Sequence, residues 1–364
     1  MVLPFFNLSD QQNLEWIGES LAETIGESLS AGGLLALGRE ERQEAFRRLS
    51  IRNYALLTRA TVIKIGETLD ASQIVYGQYE MLTPGTLRIG TRILDLKNLK
   101  KGPEFEETGV VEDLAAMETR LAWRSLKFLA PQTAPSEEAF RSSRIDIRVD
   151  AIEKYVRGLV ADSPAAQHRY FTQAARLDVR FSQPCFQLGR MYTEKKDWRV
   201  AASWLERVGA QDSHFREAQF LLGICRYRSG NYAGAIESLE RVAKEVPLNE
   251  VLNNLAAAQS RRNLPAAVEN FRKALEGDDA DPDYHFNLGY ALWKKRDFAA
   301  AADSFRAALD RAPEDADATL LLGRSLKKTG PRQGDPKSDG LERLKQTYAE
   351  MAYRQLQAEL KPKK

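Results

Sequence analysis

Three histidines and two cysteines are the side chains of this 364-residue chain whose types could support acid–base, nucleophilic or metal chemistry. His168, His214 and His285 lie far apart in the sequence, and Cys185 and Cys225 form neither a C-x-x-C pair nor a Cys/His metal pattern. The sequence also lacks phosphate-binding glycine loops, the H-E-x-x-H zinc motif and the G-x-S-x-G nucleophile motif. We therefore predict no catalytic residue, no metal and no cofactor, and a protein that is not an enzyme.

The strongest pattern is a Leu-Gly pair that recurs every 33 or 34 residues. An alanine follows thirteen residues after the leucine in most units, and a large apolar residue follows four positions later. Such a period predicts an array of helix pairs in which small residues allow close helix crossings. The pairs are Leu188-Gly189, Leu222-Gly223, Leu288-Gly289 and Leu322-Gly323, with Leu255-Ala256 at the remaining position.

These units resemble tetratricopeptide repeats, whose pattern is W-x2-L-G-x2-Y…A-x3-F…P. The best match runs from Tyr284 through Leu288-Gly289, Ala301 and Phe305 to Pro313. We expect about five clear repeats and one degenerate first repeat over residues 147–330. The resemblance implies an all-α superhelix, in which the first helix of each pair lines a concave surface that binds a protein or peptide.

Inward positions of these first helices carry aromatic residues interleaved with basic and polar ones. This mixture favours an extended or helical peptide partner, because aromatic rings supply rigid contact area and basic groups bind carboxylates. The alternative is that some of the aromatic rings only pack between neighbouring helices. Asn254 and Asn287 resemble the asparagines of carboxylate-clamp repeats, but Leu321 stands where a clamp needs Arg or Lys. The predicted groove residues are Phe186, Arg190, Phe220, Ile224, Tyr227, Asn253, Phe286, Tyr290, Trp293, Arg324 and Lys327.

Residues 1–131 have a different organisation and predict an α/β domain, a mixed sheet with covering helices. Helices are expected from about Gln12 to Ser30, through Ile63 and Leu69, and after Leu114. A type II turn at Thr83-Pro84-Gly85-Thr86 should join two strands. The predicted strands are 2–6, 34–37, 73–82, 87–96 and 105–110.

This domain resembles the amino-terminal TolB/CsgG/FlgO-type domain through Leu3-Pro4-Phe5, Asn7-Leu8-Ser9, Ile65-Gly66-Glu67-Thr68-Leu69 and Ile74-Val75-Tyr76-Gly77. The long alternating hairpins of a CsgG pore are absent from the sequence. The resemblance implies a bacterial cell-envelope setting, in the periplasm if a leader upstream of Met1 is missing. It leaves two alternatives to an adaptor: an envelope assembly component that oligomerises through this domain, and a nucleotide- or signal-binding sensor.

A linker, a loop and a final helix complete the predicted organisation. Residues 132–146 are expected to be a linker, 331–340 a loop rich in Gly and Pro, and 341–360 a capping helix with Leu341, Leu344 and Tyr348 on one face.

The overall charge limits the classes of partner. The chain has 53 basic and 51 acidic residues, a net charge of +2, with 43% hydrophobic residues. This balance does not favour nucleic acid or an anionic membrane surface. No signal peptide or membrane span is predicted. The leading hypothesis is a non-enzymatic adaptor that binds a protein partner in the repeat groove.

Overall fold

The computed structural model describes residues 1–9, 11–332, 335, 338–350, 352, 353 and 356. The chain divides into two compact units: residues 1–188 with 210–213, and residues 189–209 with 214–364.

The first unit contains a small mixed sheet early in the chain. Its strands are β1 Phe6–Asn7, β2 Gln73–Thr83, β3 Thr86–Asp95 and β4 Lys100–Val110. They lie in the order β1-β2-β3-β4, with β1 parallel to β2 and the other pairs antiparallel. The turn between β2 and β3 has Gly85 at φ +90°, the left-handed conformation that glycine adopts without steric cost. The helices in the same part of the chain are α1 Trp16–Ala31, α2 Arg39–Arg48, α3 Arg59–Thr68 and α4 Leu114–Leu129.

Two predicted strands differ from the structure. Residues 34–37 form no strand, and Leu35 is 53% exposed, so this short apolar run lies outside the sheet. In the predicted strand 2–6, only Val2 forms an isolated bridge to Val75, and the paired strand begins at Phe6. Leu3 and Phe5 are nevertheless buried, because this apolar segment packs against α1.

Helix α1 approaches the amino-terminal segment closely. A Cβ atom at Gly18 would lie 2.1 Å from the carbonyl oxygen of Phe5, and the Phe5 amide donates to the Gly18 oxygen at 3.1 Å. Arg42 of α2 pairs with Glu19 and, at 3.2 Å, with Glu23 of α1. The buried Arg42 guanidinium thereby offsets the desolvation cost of the Glu19 and Glu23 carboxylates. These ion pairs join α2 to α1.

The segment predicted as a linker, 132–146, contains helix α5 Glu137–Ser142. The Ser136 hydroxyl caps its amino terminus by accepting from the Ala139 amide at 3.3 Å, and Phe140 is buried. Arg144 lies over the Phe140 ring and donates to Ser28 of α1 at 2.9 Å. These contacts make the segment a packed part of the first unit.

Helix pairs follow along the rest of the chain, as the Leu-Gly spacing predicts. Each first helix packs against the helix that follows it in sequence in four of the pairs. The unit built on Leu322 has its first helix, α16, and in the part of the chain that the structure describes no second helix follows directly, since residues 329–332 continue without helical structure. The helices are α6 Val149–Leu159, α7 Pro164–Leu177, α8 Gln183–Glu194, α9 Trp198–Leu205, α10 Phe215–Arg228, α11 Tyr232–Glu245, α12 Asn249–Arg261, α13 Ala266–Gly277, α14 Pro282–Lys294, α15 Phe298–Arg311 and α16 Ala316–Leu326.

The Leu-Gly glycines lie where the two helices of a pair touch. A Cβ atom on Gly223 would lie 2.5 Å from Cγ of Leu239, and one on Gly189 would lie 2.6 Å from Cγ of Leu205. Gly323 of α16 differs, since among the described residues no atom beyond its own stretch of helix lies within 4 Å of its added Cβ. The small residue is therefore required where a second helix covers it.

The predicted capping helix differs most from the structure. Residues 341–349 have no helical structure, and Tyr348 and Leu344 pack as parts of an extended segment, whereas the described residues Glu350, Ala352, Tyr353 and Leu356 are helical. Met351 and most of 354–360 lie outside the described residues, as does part of the predicted loop 331–340.

None of the helices in the described residues is both long and apolar enough to cross a membrane. Cys185 and Cys225 are buried and form no disulfide with each other, and burial raises the pKa of the Cys225 thiol.

Glu118 of α4 is a buried acid that faces α1. Its Oε2 atom accepts from the Thr24 hydroxyl at 3.1 Å. Burial raises the pKa of Glu118 from 4.5 to about 7, against the smaller opposing effect of hydrogen bonds from Ser20 and Thr24. Protonation of this side chain is therefore coupled to folding.

We expect opposite effects from two glycine-to-alanine substitutions. Gly223→Ala should lower the free energy of unfolding by roughly 1–3 kcal/mol, because the new methyl group displaces buried Leu239. Gly323→Ala should raise it by about 0.5–1 kcal/mol, because alanine loses less backbone entropy in a helix. Urea unfolding followed by circular dichroism measures both values. Equal effects of the two substitutions would contradict the packing described for Gly223.

We expect the stability of the first unit to fall with rising pH through Glu118. Its pKa is higher in the folded state than its ordinary value of 4.5, so the folded state binds the proton more tightly. This stabilisation is fully present below about pH 4.5 and is lost as the pH rises through about 7. Glu118→Gln should therefore be more stable than the wild type at pH 8.5, on the order of 2 kcal/mol. Thermal unfolding at pH 5 and 8.5 tests this, and an unchanged pH dependence in the variant would refute it.

Candidate functional site

The first helices of the second unit share one face. Helix α10 contacts α12, α12 contacts α14, and α14 contacts α16. We define the groove as the surface lined by these four helices. Residues 338–350 of the same chain lie against it, and the contacts of this segment show what the groove can recognise.

Two asparagines bind the backbone of the segment. Asn254 Nδ2 donates to the Lys345 carbonyl at 2.8 Å, and Asn254 Oδ1 accepts from the Lys345 amide at 2.8 Å. Asn287, at the matching position of the next repeat, does the same to Arg343 at 2.7 and 2.8 Å. Asn253 Nδ2 also donates to the Arg343 carbonyl at 2.9 Å. Each of the two asparagines therefore pairs with both the amide and the carbonyl of one residue of the segment.

The spacing of these bonds explains why the segment is extended rather than helical. In an extended chain, residues i and i+2 present their backbone groups to the same side. Arg343 and Lys345 have this spacing, and both face asparagines of the first helices. A helix would use these amides internally and leave the buried asparagines without partners, which is costly. The apolar spacing of Leu341, Leu344 and Tyr348 alone does not contain this information.

Aspartates at the starts of α14 and α16 bind the basic side chains. Arg343 forms two hydrogen bonds with Asp315, at 2.6 and 2.9 Å, and one with Asp283 at 3.2 Å. Lys345 Nζ lies 2.6 Å from Asp281 and 2.7 Å from Asp283. Paired two-point contacts of this kind are among the stronger ion pairs.

The pKa values follow these contacts. Burial alone would raise the pKa of Asp315, but hydrogen bonds from Arg343 and from the Ala318 amide outweigh it and hold this pKa below its usual value. Burial alone would lower the pKa of Lys345, but hydrogen bonds to Asp281 and Asp283 outweigh it and raise that pKa. Both ion pairs therefore stay charged near neutral pH.

Some of the residues predicted from sequence contact the segment. Asn253 binds its backbone, and the Tyr290 hydroxyl donates to the Ser338 carbonyl at 3.0 Å. The Tyr227 hydroxyl donates to Glu342, the Phe286 ring lies under Arg343, and the Phe220 ring lies 4.7 Å from the Tyr348 ring.

The other predicted residues lie elsewhere. Phe186, Ile224 and Trp293 are fully buried, and the Trp293 indole donates to the Thr329 carbonyl. Arg190 is half-buried, Arg324 pairs with Asp335 at 3.1 Å, and Lys327 is exposed at the end of α16. Burial of Phe186 and Trp293 agrees with the alternative that some of the aromatic rings pack between neighbouring helices.

The predicted groove residues leave out those that make the most specific contacts, although Asn254 and Asn287 resemble clamp asparagines in the sequence. The residues left out are Asn254, Asn287, Asp281, Asp283 and Asp315. Asn254 and Asn287 recur 33 positions apart, directly before the leucine of their repeats, and this recurrence was the available signal. The aspartates resemble ordinary helix caps, and the sequence alone does not place Arg343 beside them.

A tetratricopeptide-repeat family model matches residues 186–250, 256–316 and 287–330. This part of the chain therefore carries tetratricopeptide repeats, and no enzyme family is indicated. No curated protein matches the sequence. The resemblance of residues 1–131 to the TolB/CsgG type has no support from these matches.

Several solved structures resemble the chain. MamA from Desulfovibrio magneticus RS-1, residue 41 to its end, is 23% identical, with a TM-score of 0.40 over 44% of this chain and 92% of that one. YrrB, described as a tetratricopeptide-repeat protein with an unusual peptide-binding site, is 17% identical, with a TM-score of 0.38 over 51% and 91%. PilF of Pseudomonas aeruginosa is 20% identical, with a TM-score of 0.38 over 45% and 75%.

We expect the combined substitution Asn254→Leu and Asn287→Leu to release the segment. Leucine has a similar volume but cannot pair with the backbone of Arg343 and Lys345. Trypsin should then cleave after these two residues at least about tenfold faster than in the wild type, as measured by mass spectrometry, because about 1–3 kcal/mol per lost buried hydrogen-bonding group favours opening.

Asn270→Leu is the matched control, since Asn270 lies on α13 and donates to Gln259. Its cleavage rate should equal that of the wild type. If the Asn254/Asn287 variant is also cleaved at the wild-type rate while its circular dichroism is unchanged, the asparagines do not hold the segment.

Proposed function

We propose that the protein is a non-enzymatic adaptor that binds an extended segment of a partner protein in the groove. One observation carries this proposal: Asn254 and Asn287 hold the backbone of an extended chain at two alternate residues. Backbone recognition suits peptide binding, because it positions any extended chain and leaves side-chain pockets to select its sequence. The tetratricopeptide repeats support an interaction role of this kind.

The groove also has the composition of a specific binding surface. Aromatic rings of Phe220, Phe286 and Tyr290 supply apolar contact area at low entropic cost. Aspartates line one part of it, and Lys294 and Arg261 lie near Glu342 in another part. A partner therefore has to match the order of the charges as well as the shape.

A sensor function of the amino-terminal domain is a second candidate, favoured by a cleft of about 290 Å³ in the first unit. Phe5, Asn7, Glu15, Tyr54 and Tyr79 are among its lining residues. This volume lies at the lower limit of small-molecule sites, so the groove remains the stronger candidate. The TolB/CsgG-type resemblance is our reason for proposing a cell-envelope setting and oligomerisation through the same domain.

Selection of peptides tests the adaptor proposal. The full chain carrying Arg343→Ala and Lys345→Ala, which weakens the hold on its own segment, is the bait for a displayed library of random linear peptides. We expect enriched peptides whose affinity, measured by fluorescence anisotropy, falls at least about tenfold when Asn254→Leu and Asn287→Leu are added, because lost backbone hydrogen bonds of this kind cost more than 1.4 kcal/mol together.

Asn270→Leu in the same background is the control and should leave the affinities unchanged. Two results would contradict the adaptor proposal: no linear peptide is enriched, or the enriched peptides bind the Asn254/Asn287 variant with unchanged affinity.

A further inference from the structure

Glu342 occupies a polar pocket between α10, α12 and α14. Its side chain is fully buried, and its carboxylate accepts from the Tyr227 and Ser260 hydroxyls, each at 3.0 Å. Lys294 Nζ lies 3.5 Å from the same carboxylate, and Arg261 lies 3.9 Å away. A buried carboxylate with two hydroxyl donors and nearby cations is stabilised, whereas a basic or apolar residue would leave these donors and charges unmatched.

Arg343 has an equally specific environment. Its guanidinium carbon lies 3.6 Å from the centre of the Phe286 ring, and its nitrogens bind Asp315 at two points. A planar guanidinium can stack on the ring and donate two hydrogen bonds to the carboxylate at the same time. The ammonium group of a lysine lacks that planar shape. This position therefore favours arginine.

Lys345 and Tyr348 complete the set of contacts. Lys345 lies between Asp281 and Asp283, and its Nζ is 5.1 Å from the Tyr284 ring. Tyr348 packs against Phe220, and Arg216 pairs with Glu350 at 2.8 Å. Leu344, between the two basic residues, is buried and joins the apolar core of the repeats.

The order of these pockets defines a sequence. Asn287 and Asn254 fix the register at residues 343 and 345. The acidic residue that fills the polar pocket must therefore come one position before the arginine. The lysine must come two positions after the arginine. Exchanging the charges would bring the lysine against Lys294 and the glutamate against Asp281 and Asp283, which is repulsive at both places.

We infer that the groove recognises an extended partner segment with the sequence Glu-Arg-x-Lys, and that residues 342–345 are an internal copy that the partner must displace. This inference rests on the proposed adaptor function and specifies its ligand. The internal copy begins 16 residues beyond the end of α16, so tethering gives it a high effective concentration. The groove of the free protein is then self-occupied, and an external segment binds only in competition with it.

A fluorescent peptide with the sequence of residues 338–350 tests this inference. It is titrated into the full-length wild type and into the full-length Arg343→Ala/Lys345→Ala variant. We expect the variant to bind it roughly 10²-fold more tightly, because the tethered competitor is weakened. The control chain, Gln346→Ala, should behave like the wild type, since the Gln346 side chain is exposed and bonds only within the segment, to the Leu344 carbonyl.

Two peptide variants test the sequence requirement. A peptide with Glu342→Lys and Lys345→Glu keeps the composition but exchanges the charges, and a peptide with Arg343→Ala lacks the guanidinium. Both should bind the variant chain at least about tenfold more weakly than the native peptide, because like charges meet in the exchanged peptide and buried carboxylates lose a partner in the other. Equal binding of the charge-exchanged peptide would overturn the sequence assignment.

The remaining outcomes are also decisive. Equal affinity of the native peptide for the wild type and the variant would overturn the internal competition. If library peptides bind the variant and the native peptide does not, the Glu-Arg-x-Lys inference fails and the adaptor proposal stands; if neither binds, the adaptor proposal fails as well. Concentration-dependent dimers of the wild type in light scattering, dissolved by the native peptide, would make a second copy of this chain the occupant and overturn the partner assignment.

Discussion

The groove is subject to one constraint: an extended backbone that lies on helices finds no free backbone partner there. Helical amides and carbonyls are already paired within each helix, so an exposed strand edge, which other peptide-binding folds use, does not exist on this surface. Side-chain amides are suited to this task because one asparagine carries both a donor and an acceptor. Asn254 and Asn287 supply them at matching places in consecutive repeats, and the register of every other contact with the segment follows from these two residues.

Two of the aspartates that bind Arg343 and Lys345 also stabilise helices of the repeats. Asp281 accepts from the Asp283 amide at 2.9 Å, and Asp315 accepts from the Ala318 amide at 3.0 Å, so both cap the amino termini of first helices. Negative charge at these positions is favoured by the helix dipole, whether or not a ligand is bound. Folding therefore keeps the acidic sites in place at the edge of the groove, and binding of a basic segment uses charges that the helices already require.

The parts of the fold that could be predicted are those set by close packing within a repeat. Gly223 has to be small because Leu239 lies against it, and such pairs leave a periodic trace in the sequence. The prediction of a strand at residues 34–37 was wrong, because local hydrophobicity does not show whether a partner strand lies beside an apolar run. The spacing of Leu341, Leu344 and Tyr348 fits a helix, but asparagines some 56 and 91 residues away in the sequence determine its extended form. Contacts of that range leave no local pattern, so the predicted groove residues include Asn253 but not Asn254 and Asn287, which the sequence marks only by their resemblance to clamp asparagines.

Hydrogen–deuterium exchange of the full-length wild type tests most directly whether the groove holds an extended backbone. The amides of Arg343 and Lys345 donate to Asn287 and Asn254. We expect peptic fragments that span residues 342–346 to exchange at least about tenfold more slowly than an unstructured chain of the same sequence, since exchange then requires opening of the segment. Exchange of these amides at the unstructured rate would contradict the occupied groove and the recognition inferred from it.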